Sequence, residues 1–105
     1  MGSISKAPYM QHLPAWAYKM SKAAVNMLTV DYSLQLNDEG FTVFPLSPGW
    51  LKTDLGSQHA HLEVDVGVKA TLEIILDAGP ESNGRFRDIK VPGWEQMYPG
   101  KDSAW

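Results

Sequence analysis

The sequence has no cysteine among its 105 residues. Disulfide bonds and thiolate metal sites are therefore excluded. Its three histidines, His12, His59 and His61, do not have the spacing of a metal-binding array, so we expect no metal site. The chain also lacks an apolar run near the roughly 20 residues of a membrane span, and it shows no signal-peptide pattern. We therefore expect a cytoplasmic protein with no membrane partner.

Positive charge is not in excess either. The formal net charge is -3 and no basic cluster occurs, which argues against nucleic acid as a partner. Apolar residues make up 44% of the chain and charged residues 20%, as in ordinary globular proteins. Because typical domains contain about 100–150 residues, residues 1–105 are expected to form a single domain.

A long stretch without proline or glycine, from about residue 15 to residue 36, predicts the main helix. The segment 1–13 has no regular period and is expected to be a loop, with Pro14 in the first helical turn and Gly40 as the stop. Apolar residues cover most of the helix, which predicts burial on more than one side, including against a second subunit. The remaining polar stripe consists of Tyr18, Lys22, Asn26, Thr29 and Ser33.

The rest of the chain predicts a strand, a loop, a second helix, another strand and an irregular tail. The apolar segment 41–46 is typical of a parallel strand covered on both faces. Asp65 is the expected N-cap of an amphipathic helix that ends at Gly79–Pro80. Residues 85–91 alternate like a half-buried strand, and the aromatic residues of the tail, 92–105, are expected to pack onto the body. The order is an α/β pattern, although two strands do not complete a stable sheet.

Tyr18 and Lys22 are the first candidate functional pair. Residues four apart in a helix lie on one face, about one turn from each other. A free tyrosine, with a pKa near ~10, exchanges protons poorly at neutral pH, and a nearby ammonium favours its phenolate form. The pair therefore fits an acid and the group that tunes it, with a lysine long enough to reach a cofactor ribose. The alternative is a solvated helix face, because such pairs are common by chance.

The segment Pro48–Thr53 is the second candidate. It follows the predicted strand 41–46, and ligands of open α/β sheets bind outside the carboxyl ends of the strands. The Pro-Gly turn exposes backbone donors and acceptors, and Thr53 adds a hydroxyl. These groups suit the amide and phosphates of a cofactor. An ordinary strand-to-helix loop is the alternative.

Taken in order, Tyr18-x-x-Ser21-Lys22, the apolar helix, a strand ending in Pro48-Gly49, and Thr53-Asp54 resemble the short-chain dehydrogenase/reductase family. The resemblance covers nearly the whole chain, as the C-terminal half of such a subunit, and is strongest to the branch of carbonyl reductases and C-factor-like proteins. It implies an α/β fold: the C-terminal portion of a Rossmann-type doubly wound parallel sheet, left incomplete. Residues 1–105 would then be one partial NAD(P)-binding domain.

The resemblance also implies roles for individual residues. Tyr18 matches the general acid/base that protonates the carbonyl oxygen of an aldehyde or ketone, and Lys22 matches the residue that tunes it and binds the nicotinamide ribose. The implied cofactor is NAD(P), with NADP favoured, and its binding residues are Tyr18, Lys22, Pro48, Gly49, Leu51 and Thr53. Trp50, Leu55 and His59 would border the substrate pocket. Helix 15–36 would form a homo-oligomer interface.

The sequence departs from the family pattern in two places. No G-x-x-x-G-x-G phosphate turn occurs, so we expect the N-terminal phosphate-binding half to be absent. The catalytic serine of the family would fall before Met1, and neither Ser3 nor Ser5 is expected to replace it. The chain alone is therefore expected to be inactive. The alternatives are a non-catalytic dimerisation or interaction module derived from such an enzyme, and an unrelated small α/β binding domain.

Overall fold

Two helices and two short strands follow one another in the order that the sequence predicts. The computed structural model describes residues 2–105, and Met1, the first residue of the predicted 1–13 loop, lies outside the described residues. The elements are α1 (Trp16–Gln35), β1 (Leu46–Ser47), α2 (Val64–Asp77) and β2 (Arg87–Asp88). Short 3-10 turns occur at Ala7–Met10, Asn37–Glu39 and Pro80–Ser82.

Helix α1 confirms the predicted 15–36 helix, with a correction at its start. Ala15 is the N-cap, and its carbonyl accepts the N–H of Lys19 at 2.9 Å. Pro14 therefore precedes the helix, and its predicted place in the first turn is wrong. At the other end, a 3-10 turn extends the chain to Gly40, which has a φ of 81°. Glycine adopts this left-handed conformation readily, which explains the stop.

Helix α1 is predicted to be buried on more than one side, but residues 2–105 leave most of its apolar side chains exposed. Ser33 is the one buried residue of the helix, whereas Met20 is 72% and Leu34 is 71% exposed. Of the polar stripe, the C-terminal part faces the body: Ser33 is buried and the Asn26 amide donates to the Gly2 carbonyl at 3.1 Å, whereas Tyr18 and Lys22 are exposed. The Asn83 amide also donates to the Ser33 carbonyl at 2.9 Å. Much of the apolar surface of α1 is therefore uncovered in this chain.

The strands are parallel, as predicted, but shorter than the predicted segments 41–46 and 85–91. Leu46 pairs with Arg87, and Ser47 pairs with Asp88. The chain before β1 bonds elsewhere, because Val43 donates its N–H to the Asn83 side chain and accepts the Gly84 N–H. Val43 therefore bonds to the turn at Asn83–Gly84 and not to a neighbouring strand. This explains why the strand begins only at Leu46.

Helix α2 begins two residues earlier than predicted. Glu63 is its N-cap, and the Glu63 carbonyl accepts the Gly67 N–H at 3.3 Å. Asp65 therefore lies in the first turn and is not the N-cap, although a carboxylate there still interacts favourably with the helix dipole. The helix ends at Asp77, just before Gly79–Pro80 as predicted.

The core lies between α2, β2, the loop after β1 and the tail. Its buried members are Leu62, Ala70, Ile89, Val91 and Tyr98. The tail is irregular, as predicted, and runs beside β2 through isolated antiparallel bridges from Arg87 to Asp102 and from Lys90 to Pro99. Its aromatic side chains pack on the body, so the loop after β1 rests on a core that the tail completes.

Candidate active site

Tyr18 and Lys22 lie one above the other near the start of α1. The Lys22 ammonium is 5.6 Å from the centroid of the Tyr18 ring, within the distance at which a cation is attracted by an aromatic face. Tyr18 is 38% exposed. Within residues 2–105, its hydroxyl has no hydrogen-bond partner, so the hydroxyl is available to a ligand.

Lys19, one residue beyond Tyr18, has a different role. Its ammonium donates to the carbonyl oxygens of Met10 and Leu13 at 2.6 and 2.8 Å. These bonds tie the N-terminal segment to α1. Lys22 makes no such bond in the described part of the chain, which leaves it as the lysine available to the Tyr18 hydroxyl and to a ligand.

The loop after β1, residues 48–53, is held in a single shape by tight packing and by backbone bonds. Gly49 has a φ of 83°, and a Cβ there would lie 3.0 Å from side-chain atoms of both Ile89 and Leu62. The Trp50 carbonyl accepts the Leu62 N–H at 3.1 Å, and Lys52 donates to the Leu62 carbonyl at 2.9 Å. At position 49, only glycine fits without displacing core side chains.

Donor groups remain free on this loop. The Leu51 carbonyl accepts the Thr53 N–H at 2.9 Å, but the Leu51 N–H has no partner among residues 2–105. The Thr53 hydroxyl oxygen accepts the Gly56 N–H at 2.9 Å, which leaves its own hydrogen to donate. A free amide and a free hydroxyl hydrogen fit the carboxamide and phosphate groups that the sequence predicts here.

The three residues predicted to border a substrate pocket differ in their surroundings. Leu55 is 84% exposed. His59 is also exposed, and its N–H donates to the Ser57 hydroxyl at 3.3 Å. Trp50 is half-exposed and its indole N–H donates to the Gly56 carbonyl at 2.6 Å. Of the three, only Trp50 has its side chain held in place by the loop.

An aromatic cluster around His61 was not predicted from the sequence. The ring centroid of His61 is 5.0 Å from that of Trp50 and 5.3 Å from that of Trp94. The His61 Nδ1 lies 2.8 Å from the hydroxyl of Tyr98. The aromatic residues of the tail were the available signal, but their distance along the chain from the loop hides the contact.

Burial raises the pKa of Tyr98. The Trp50 N–H, which donates to the hydroxyl oxygen, acts in the opposite direction, and the Asp88 carboxylate adds to the rise. Tyr98 is therefore a neutral, hydrogen-bonded member of the core at neutral pH.

The structure does not join the two candidate sites directly. No hydrogen bond, ion pair or ring contact within residues 2–105 links Tyr18 or Lys22 to the loop 48–53. Ser3 and Ser5 are engaged elsewhere: the Ser3 hydroxyl donates to the Ala104 carbonyl at 2.6 Å, and the Ser5 hydroxyl lies 2.8 Å from that of Ser3. These bonds tie the N-terminal segment to the tail.

Residues 2–105 contain no group of three or more His, Cys, Asp or Glu side chains placed to hold a metal ion. None of the helices in that range is both long and apolar enough to cross a membrane.

Two known protein sequences show what the chain is similar to, although no protein-family model matches it. It is 40% identical to C-signal of Myxococcus xanthus, over 87% of this chain and 49% of that protein. It is also 40% identical to the short-chain dehydrogenase/reductase eupG of a Phoma species, over 45% of this chain and 17% of that protein. The chain thus spans half or less of the length of these relatives.

A solved structure agrees with these sequence matches. The NADPH-bound carbonyl reductase from chicken fatty liver superposes with a TM-score of 0.81 and 34% identity, over 99% of this chain and 39% of that chain. The two helices and the parallel strand pair therefore correspond to part of a Rossmann-type α/β fold. This finding confirms the predicted fold class.

Proposed function

Because this chain belongs to the short-chain dehydrogenase/reductase family, we propose that it carries the proton donor and the nicotinamide loop of a carbonyl reductase. The observation that carries the proposal is the pair on α1, where Lys22 lies 5.6 Å from the ring of Tyr18. The substrate is a small aldehyde or ketone. The chain is one partial NAD(P)-binding domain, it acts in the cytoplasm, and it forms a homo-oligomer through α1.

In the proposed reaction, Tyr18 is the general acid. Its hydroxyl donates a proton to the carbonyl oxygen of the substrate, and the cofactor supplies the hydride. The phenolate that remains is stabilised by the ammonium of Lys22. The exposed position of Tyr18 allows a substrate oxygen to approach the hydroxyl, which has no competing partner in residues 2–105.

Three groups would hold the cofactor. The free Leu51 N–H binds its carboxamide, and the Thr53 hydroxyl donates to the amide or the pyrophosphate. Pro48 and Gly49 shape the turn that presents these groups, and Lys22 reaches the nicotinamide ribose. NADP is favoured over NAD, in keeping with the NADPH bound to the chicken carbonyl reductase.

A cofactor titration of the isotopically labelled chain tests the proposal. Added NADPH should shift the amide signals of Leu51 and Thr53 and the side-chain signals of Lys22 in NMR spectra. Lys22→Met should weaken binding at least about tenfold, because it removes a charged hydrogen-bond donor. Lys69→Met, at an exposed lysine of α2, is the matched control and should bind like the parent chain. A parent chain whose loop and Lys22 signals do not respond to NADPH would contradict the proposal.

The second candidate function is a non-catalytic dimerisation or interaction module. The observation that favours it is an apolar row on α1: Met20, Met27 and Leu34 are seven residues apart and are 72%, 58% and 71% exposed. Residues seven apart lie along one face of a helix. Self-association without any response to NADPH would favour this second function.

A further inference from the structure

The tail returns from β2 to lie under the loop after β1. The Gly100 N–H donates to the Ile89 carbonyl at 3.0 Å, and the Val91 N–H donates to the Tyr98 carbonyl at 3.2 Å. Tyr98 is 7% exposed and belongs to the core. The backbone of Tyr98 is therefore fixed, and its side chain meets the loop from a defined direction.

The Tyr98 hydroxyl bonds to the backbone of the loop and to the side chain of His61. It accepts the backbone N–H of Trp50 at 3.1 Å and lies 2.8 Å from the Nδ1 atom of His61. A phenol hydroxyl has one donor and can also accept, so it can satisfy both contacts at the same time. The His61 ring is in turn held between Trp50 and Trp94.

These bonds fix both peptide groups of Trp50. Tyr98 holds the Trp50 N–H, and the Leu62 N–H holds the Trp50 carbonyl. The Trp50 carbonyl and the Leu51 N–H belong to one planar trans peptide and point in opposite directions. The bond to Leu62 therefore aims the free Leu51 N–H away from the Leu62 backbone.

The ring of Tyr98 also supports the loop from below. A Cβ on Gly49 would lie 3.2 Å from the Tyr98 Cε1 atom, so the loop backbone rests directly on this ring. With Tyr98 displaced, the segment Gly49–Leu51 would lose one hydrogen bond and one packing surface at once.

We propose that Tyr98 is a positioning residue, which holds the Gly49–Leu51 backbone in the shape that presents the Leu51 N–H to the nicotinamide carboxamide. This proposal rests on the proposed function. His61 assists by orienting the Tyr98 hydroxyl. The tail thereby takes part in cofactor binding without touching the cofactor.

Tyr98→Phe tests this role because it removes the hydroxyl and keeps the ring under Gly49. In amide hydrogen exchange, the Trp50 amide, which donates to the Tyr98 hydroxyl, should exchange about 3–10-fold faster, the effect of losing one hydrogen bond. The amides of Ile89 and Val91 report the stability of the core and should change much less. Binding of NADPH, measured by NMR titration, should weaken by a similar factor.

Tyr9→Phe is the matched control, since Tyr9 is 82% exposed, and it should change neither measurement. If Tyr98→Phe does not fold, His61→Phe keeps an aromatic ring between the two tryptophans and should speed exchange of the same Trp50 amide. Equal acceleration of all core amides, or unchanged binding of NADPH, would overturn the proposal. If the parent chain binds no NADPH but Tyr98→Phe still loosens Trp50 selectively, the proposed function fails and the positioning of the loop by Tyr98 stands.

Discussion

Gly49 shows how strongly a single residue constrains the candidate site. Its φ of 83° is strained for any residue with a Cβ, and a Cβ would meet Ile89, Leu62 and Tyr98 within 3.2 Å. Gly49→Ala should therefore lower the free energy of unfolding by about 2–4 kcal/mol, through backbone strain and overpacking together. Urea denaturation measures this loss.

Gly93 offers a control with the same backbone conformation. It also has a φ of 83°, but a Cβ there would have no neighbour within 4 Å. Gly93→Ala should therefore lower the free energy of unfolding by only about 1–2 kcal/mol, from strain alone. Equal losses in the two variants would show that a Cβ at position 49 fits beside Ile89, Leu62 and Tyr98 without overpacking.

At the level of residues, local spacing determined what could be predicted. Tyr18 and Lys22 are one helical turn apart, so their contact follows from the sequence once a helix is recognised. The contact of Tyr98 with Trp50 depends on a tail that turns back beside β2. Nothing local marks such a return, and for this reason the sequence did not indicate Tyr98.

Among the elements, the helices were predicted better than the strands, because helices depend on local hydrogen bonds and strands depend on distant partners. A helix bonds to itself, so α1 follows from a run of helix-forming residues without proline or glycine. A strand extends only as far as a neighbouring strand is there to accept and donate its backbone hydrogen bonds. The apolar segment 41–46 has strand character, but the Val43 N–H bonds to Asn83, and only Leu46 and Ser47 find a parallel partner.

Helix α1 should drive association through the apolar row formed by Met20, Met27 and Leu34. These side chains are more than half exposed, and a continuous apolar surface favours burial against a partner. The purified chain should therefore be larger than a monomer by light scattering. Replacing Met27 and Leu34 together by glutamine should shift it toward the monomer.

The control for this experiment is Leu55→Gln. Leu55 is 84% exposed but lies in the loop between β1 and α2, so its replacement should leave association unchanged. Association that survives the double replacement on α1 would contradict an interface on that face.

At the scale of the whole molecule, the two halves of the candidate site are each formed but are not connected to each other. Tyr18 and Lys22 lie on α1, the loop 48–53 lies over the core, and no hydrogen bond, ion pair or ring contact within residues 2–105 links them. No glycine-rich phosphate turn occurs in the 105 residues. A reaction that depends on holding the proton donor, the carbonyl substrate and the cofactor in fixed relative positions loses most of its rate acceleration when one of them is unconstrained.

The purified 105-residue chain should therefore not oxidise NADPH measurably with any member of a panel of aldehydes. When it is fused to the part of C-signal outside the matched region, which makes up about half of that protein, turnover should appear and should be followed by NADPH absorbance. Tyr18→Phe in the fusion should abolish this turnover, because the ring remains but the proton donor is lost, whereas Tyr9→Phe should leave it intact. Turnover by the unfused chain that disappears with Tyr18→Phe would instead mean that the pair on α1 and the loop after β1 suffice for catalysis.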